Sequence, residues 1–391
     1  MKKTIGILCV LVSLCLPIYS QQHLNPEVAT WEAKFEFDNE LYPSYVLAMS
    51  GPSNNVKLPL DYFGDPAGFV EVWIVSSVPN AQVHVEIKVE GWASPSELDA
   101  TLPEAGKRYR LAPYVRYDFA RLAETNQSYP GTVDYSVRVN GIDLGKEMLS
   151  IRIRSANDVP FYAETSLSGG PVDNKYIFAG FVNESHPSIR VLLQEALRWK
   201  AVNSFSGYQA DAAGVRMQVF AIWNALQRRQ VKYSGVTTPS ASSPSGKVYS
   251  QAVRFIDESI DSQQANCVDG SVLFASILYK IGIEPLLVLK PGHMFLGYWL
   301  DENHSTVEFL ETTQIGSGHQ PGTSNIAFSK FLHPVELSES WAQFIKAIQY
   351  ANNAYNQEVA PALRIKKAEY QLNDIAQFRR GGINAIPRPG K

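Results

Sequence analysis

A chain of 391 residues with 45% hydrophobic and 19% charged residues is long enough for two domains with their own cores, and its formal net charge of −3 offers no basic surface for a nucleic acid. Beyond residue 20 no apolar run is long enough to span a bilayer, so stable membrane insertion is not expected. Of the three cysteines only Cys267 lies outside the first twenty residues, so an internal disulfide has no second partner once those are removed.

Lys2 and Lys3 precede an apolar stretch from Ile5 to Leu16, and Pro17 then leads to Ile18-Tyr19-Ser20. That is the charged, apolar, small-residue order of a secretory signal over residues 1–20, with cleavage expected after Ser20. Cys15 suggests lipid attachment, but Leu14 occupies the position where a lipoprotein signal needs a small residue. The expected product is exported, periplasmic or extracellular. Losing Lys2 and Lys3 leaves 33 basic residues against 38 acidic ones, a net charge of −5. The Asn-X-Ser sequons at Asn126, Asn183 and Asn303 read as chance matches.

Residues 25–156 read as an antiparallel β-sandwich, immunoglobulin-like in the spacing of its short strands. Lys34 to Phe37, Phe69 to Val75, Gln82 to Val89, Tyr135 to Val139 and Leu149 to Ile153 alternate apolar and polar residues with turns between them. No catalytic grouping occurs there, so the unit is expected to bind or to space. Asn157 to Gly170 reads as a connector.

Residues 170–391 change texture, and the whole chain is therefore of α+β class. Ser188 to Lys200 and Val215 to Arg229 carry apolar residues at helical spacing. Pro239 to Gly246, rich in Ser and Pro, reads as a loop that either borders a cleft or is a tolerated surface insertion. A helix from Val268 to Tyr279 ends at Gly282, and strands follow over Glu284 to Leu289, Met294 to Leu300 and Thr306 to Leu310. Ser340 with Gln343 resembles a capping-box start for a helix through Trp341, Phe344, Ile345 and Ile348. A shorter helix is expected after Asn373, stopping at Gly381-Gly382.

Cys267 opens its helix, His293 leads a strand and Glu311 ends the next one. If Asp301-Glu302-Asn303-His304 is the turn, the register sets His293 opposite Glu311 to within about one residue. A carboxylate there accepts the imidazole proton on one nitrogen and leaves the other to face a thiol. The helix N-terminus and the imidazole are together expected to depress the Cys267 pKa. Free N–H groups at the same place could receive an oxyanion, with Asn266, Gln264 or Gln263 as side-chain donors.

A buried cysteine is ordinarily a small hydrophobe, and only the company of His293 and Glu311 sets this one apart. Asp269, in the first helical turn, suits compensation of the helix dipole better than a role as rival acid. Asp301 reads as a turn former. His84, His304, His319 and His333 stand in strand, turn, Gly-rich loop and Pro-flanked contexts without a cysteine or acid at a recognisable spacing.

These residues resemble the transglutaminase-like superfamily of papain-like cysteine enzymes, in which a helix-borne Cys, a strand-leading His and an acid follow in that order. Asn266-Cys267-Val268-Asp269, Leu273-Phe274-Ala275, Gly282, Pro285 to Leu289, Gly292-His293 and Phe309-Leu310-Glu311-Thr312-Thr313 are similar to a bacterial exported branch of it. Ile177 to Asn183 with His186-Pro187, Gly207-Tyr208-Gln209, Ala221 to Leu226 and Asp374-Ile375-Ala376 fit the same branch. The chain departs at Asn266, where the family carries a small hydroxylated residue, at Met294, where it carries a small one, and at Glu311, where Asp is more usual.

The resemblance implies a transglutaminase-like, helix-plus-antiparallel-sheet domain over 170–391 with a helical C-terminal extension. It also implies a cysteine peptidase, amidase or acyl transferase acting on protein or peptide substrates through a thioester. The alternative is an envelope binding or assembly module that keeps the three residues without turnover. No Gly-x-Ser-x-Gly, His-Glu-x-x-His, Cys-x-x-Cys or phosphate-binding loop occurs, and Gly316-Ser317-Gly318 lacks the flanking strand and helix of a nucleotide site. No metal-ligand spacing is visible, so neither metal nor cofactor is expected. A thiol redox role lacks a resolving cysteine.

Overall fold

The computed structural model describes residues 23–25, 28–51, 58–167, 169–235, 243–316 and 334–388. The expected signal segment, His319, His333, Ser317-Gly318 and the first part of the Pro239 to Gly246 loop lie outside them.

Period-two alternation builds the first part of the chain. Ala29–Phe35 (β1), Val70–Ser76 (β2), Ala81–Val89 (β3), Ser96–Leu102 (β4), Arg108–Ala112 (β5), Tyr129–Val139 (β6) and Ile142–Ile153 (β7) form the bulk of two five-stranded sheets. One sheet runs His23–Asn25, β1, β2, β5, Tyr62–Gly64, and the other Glu40–Leu41, β7, β6, β3, β4. The pairs are antiparallel except where Tyr62–Gly64 and Glu40–Leu41 join as short parallel edges. Trp31, Val72, Ile74 and Tyr109 from one sheet share a core with Val85, Ile87, Tyr135 and Val137 from the other. Hydrogen bonds cross this interior, Tyr135 Oη donating to the Lys34 carbonyl at 2.9 Å and Trp31 Nε1 to that of Leu144 at 3.4 Å. Each buried aliphatic or aromatic side chain contributes about 1.5–3 kcal/mol, so this shared core, more than any polar pair, holds the sheets together.

The segment expected as a connector is partly a strand. Asp158–Ala163 (β8) pairs with Val172–Asp173 on one side and with Val248–Ala252 (β9) on the other. Its partner lies some ninety residues downstream, a distance at which local alternation carries no signal. Arg154, fully buried, fixes the approach to β8. Its Nη1 donates to Glu40 Oε2 at 2.9 Å, its Nε to Asp158 Oδ2 at 3.0 Å and its Nη2 to Ser250 Oγ at 3.4 Å.

Pro187–Arg198 (α1) starts with Pro at its first turn, and Ala212–Arg228 (α2) starts at Asp211, whose carboxylate accepts from the Gly214 amide at 2.8 Å. Cys267–Lys280 (α3) is buried on nearly every side and ends at Gly282, where φ is 77°. Pro285–Lys290 (β10), His293–Trp299 (β11) and Val307–Leu310 (β12) follow it. Pro334–Ala354 (α4) runs through the expected capping box. Ser340 and Gln343 sit inside it because a buried partner claims both: Ser340 Oγ donates to Gln227 Oε1 at 2.6 Å, and Gln227 Nε2 donates to Gln343. Gln371–Asp374 (β13) completes a four-stranded antiparallel sheet in the order β12, β11, β10, β13, and Ile375–Arg380 (α5) stops at Gly381-Gly382 as expected. Among the described residues no helix is long and apolar enough to cross a membrane.

Candidate active site

The start of α3 is fixed by side chains. Asn266 Oδ1 accepts from the Val268 and Asp269 amides at 2.8 and 2.9 Å, and Asp269 Oδ2 accepts from the Asn266 amide at 3.0 Å. Asp269 is fully buried and also takes the Arg254 amide and Nη1, each at 2.8 Å. Burial raises its carboxyl above the usual range, and the bonds from Asn266 and Arg254 oppose that. It therefore braces the helix start.

This capping leaves one helix amide for an incoming group. The Val268 and Asp269 amides are taken, whereas the Cys267 amide donates to no acceptor among the described residues. Of the expected side-chain donors, Gln263 Nε2 is spent on the Arg229 carbonyl at 2.8 Å, and Asn266 uses its oxygen as a cap. Gln264 is exposed, pairing as backbone with Lys232 on the parallel strip Lys232–Tyr233 that runs beside the approach to Cys267.

His293 enters β11 directly after Pro291-Gly292, with Gly292 at a φ of 69° that allows the tight reversal. The register differs from expectation. Leu296 pairs with Leu310, which carries Glu311 to the level of Phe295, two positions from His293. Ser305 is drawn into the turn, since the Asp301 carboxylate accepts its amide at 3.0 Å and its hydroxyl at 2.8 Å, so the hairpin slips by a residue. An offset of two keeps both side chains on one face. The diagonal is spanned by the longer reach of Glu: Glu311 Oε2 lies 2.7 Å from His293 Nε2.

Cys267 interacts with the same imidazole, and with Nε2 held by Glu311 the ring nitrogen left open to it is Nδ1. The interaction with Cys267 first and the Glu311 bond second push His293 up to about 9, against the opposing effect of burial. Cys267 is a free, half-buried thiol. Glu311 is buried, and its other oxygen Oε1 accepts from Thr313 N at 3.0 Å and Thr313 Oγ1 at 2.6 Å. Helix and acid meet closely behind the site: a Cβ on Gly270 would lie 2.9 Å from Thr312 Oγ1.

Thr313 is a member of this group that spacing reasoning missed, because a threonine beside an acid carries no signal until the acid's second oxygen needs a donor. The remaining histidines stand elsewhere. His84 pairs with Asp99 across β3 and β4 at 2.8 Å, His186 caps α1 through Nδ1, and His304 lies 3.0 Å from Glu284. No protein-family model matches the chain, and a search of curated proteins finds no match.

Proposed function

We propose that the chain is an extracytoplasmic cysteine-dependent enzyme of the transglutaminase-like kind, cleaving or transferring amide bonds of proteins or peptides through a thioester. One observation carries this reading: a thiol at a helix N-terminus beside an imidazole that is held at Nε2 by a buried, doubly anchored carboxylate. The two facing five-stranded sheets are, in the same reading, a β-sandwich module attached to the catalytic unit.

The chemistry follows from the arrangement. An imidazole pushed up to about 9 holds its proton at neutral pH and so stands ready as the acid for the leaving group. The Cys267 sulfur attacks the amide carbonyl carbon, and the carbonyl oxygen takes up the negative charge where the free Cys267 amide can donate to it. His293 gives its proton to the leaving nitrogen, the C–N bond breaks, and the acyl group stays on sulfur. Water or an amine then attacks the thioester, passing a proton to His293 and freeing Cys267. Glu311 keeps Nε2 protonated, so Nδ1 is the nitrogen that exchanges protons with sulfur and substrate.

The test is the pH dependence of iodoacetamide labelling at Cys267 in the folded protein, beside His293→Ala and Glu311→Gln. Fast labelling well below pH 8.5, roughly the ordinary thiol value, and its loss in His293→Ala are expected. Labelling that rises only at alkaline pH and ignores both substitutions overturns the catalytic reading in favour of a binding or assembly module.

A further inference from the structure

The fold gathers a second group of chemically capable side chains at the far end of the same hairpin. Glu284 precedes β10, His304 closes the turn between β11 and β12, and Asp374 ends β13, and one donor atom from each lies within 4.8 Å of the other two. From these three side chains we propose a binding site for a divalent transition-metal ion, zinc, separate from Cys267 and independent of the function proposed above.

The donor set is one imidazole nitrogen and two carboxylates, which is borderline-soft chemistry that suits zinc better than calcium or magnesium. Two features of the site point to a shared ion rather than to a simple pair. Glu284 Oε2 is sealed from solvent and accepts no hydrogen bond among the described residues, although His304 Nε2 stands 3.0 Å from it. The imidazole and the carboxylate thus lie close together without hydrogen-bonding each other, which leaves both able to share an ion. Asp374 in turn spends Oδ1 on capping the Gln377 amide at 2.8 Å and keeps Oδ2 for a ligand.

The surroundings hold the donors in place. Trp299 stacks flat on the His304 ring, with centroids 4.6 Å apart and planes 9° apart. Tyr208 Oη accepts from the Glu284 amide at 2.8 Å, which fixes the backbone that carries the carboxylate. Zinc–nitrogen and zinc–oxygen bonds of about 2.0–2.2 Å require donor separations of roughly 3–4 Å, within reach of a small side-chain adjustment. With three protein ligands the shell is completed by water. Such an ion ties the end of the β11–β12 hairpin to the start of β10 and to the β13–α5 junction.

The experiment uses the chelator-treated mature chain carrying Cys267→Ser, which removes the one thiol that would compete for zinc. Calorimetric titration with zinc chloride is expected to show one ion per chain and a Tm that rises with zinc. Glu284→Gln and Asp374→Asn should each weaken binding by at least about tenfold, the lower end of what even an outer-shell change costs a metal site. Asn caps a helix as well as Asp does, so Asp374→Asn tests the ligand with the start of α5 intact. The metal-free Tm of each variant reports that integrity. No saturable zinc binding, or binding and Tm shift unchanged in both variants, overturns the site.

Discussion

Thr313 holds Glu311 by two donors on one oxygen, its amide at 3.0 Å and its hydroxyl at 2.6 Å, so that Oε2 alone is presented to His293. A glutamate with three rotatable bonds would otherwise sample several rotamers. Thr313→Val removes the hydroxyl and keeps the amide and the shape. It should lower the Cys267 labelling rate near neutral pH about tenfold, as expected from losing one charge-assisted hydrogen bond of about 1.5 kcal/mol. The Tm should stay within a few degrees, and an unchanged labelling rate would exclude a positioning role for Thr313.

The raised His293 value makes stability depend on pH with a definite sign. A group whose folded value of about 9 exceeds the usual 6.5 binds its proton more tightly when folded, so its contribution is complete below about pH 6.5 and is lost as pH rises through 9. Chemical denaturation of the wild type and His293→Gln across pH 6 to 10 should show a stability difference that shrinks as pH rises. A difference that is flat or grows would contradict a raised His293.

Gly270 marks a close approach between α3 and the turn that follows Glu311. Gly270→Ala places a Cβ 2.9 Å from Thr312 Oγ1 and 3.1 Å from Thr312 Cβ, so Thr312 must shift and carry Glu311 with it. Overpacking of this kind costs about 1–3 kcal/mol, and here it should also slow Cys267 labelling. Thermal unfolding and labelling, measured on one preparation, separate the two effects.

Arg154 lies fully buried between Glu40 and Asp158. Arg154→Ala leaves the buried Glu40 carboxylate with the Tyr42 hydroxyl at 2.8 Å and a longer Arg152 contact at 3.5 Å, and should destabilise the fold by about 3 kcal/mol, the lower end of the cost of removing one partner of a buried pair. Adding Glu40→Gln should recover part of that loss in urea unfolding, which separates a stranded charge from lost packing.

Strand alternation made β2 and β3 and the later parts of β6 and β7 legible, whereas the strand expected over Lys34 to Phe37 meets β1 only at Lys34-Phe35, because the chain leaves the sheet for a short helix over Glu36–Asn39. β8 and β9 escaped notice since their pairing is with each other across a long intervening stretch. The order of Cys267, His293 and Glu311 announced which side chains to compare. The register did not follow from the turn's composition, because Asp301 binds Ser305 through its side chain and lengthens the turn. Spacing also could not announce Glu284, His304 and Asp374 as a group, since only the pairing of β13 with β10 brings the last of them near.

Residues 383–388 lie as an extended segment between two earlier parts of the chain. The Asn384 amide donates to the Ala48 carbonyl at 2.8 Å and the Ile386 amide to that of Gly180 at 2.7 Å, while Arg388 pairs with Asp257 and Glu258. During synthesis the segments around Ala48 and Gly180 emerge hundreds of residues ahead of this strip. A nascent chain therefore carries an open seam, with unpaired carbonyls and the socket for Ile386 exposed, until the strip leaves the ribosome.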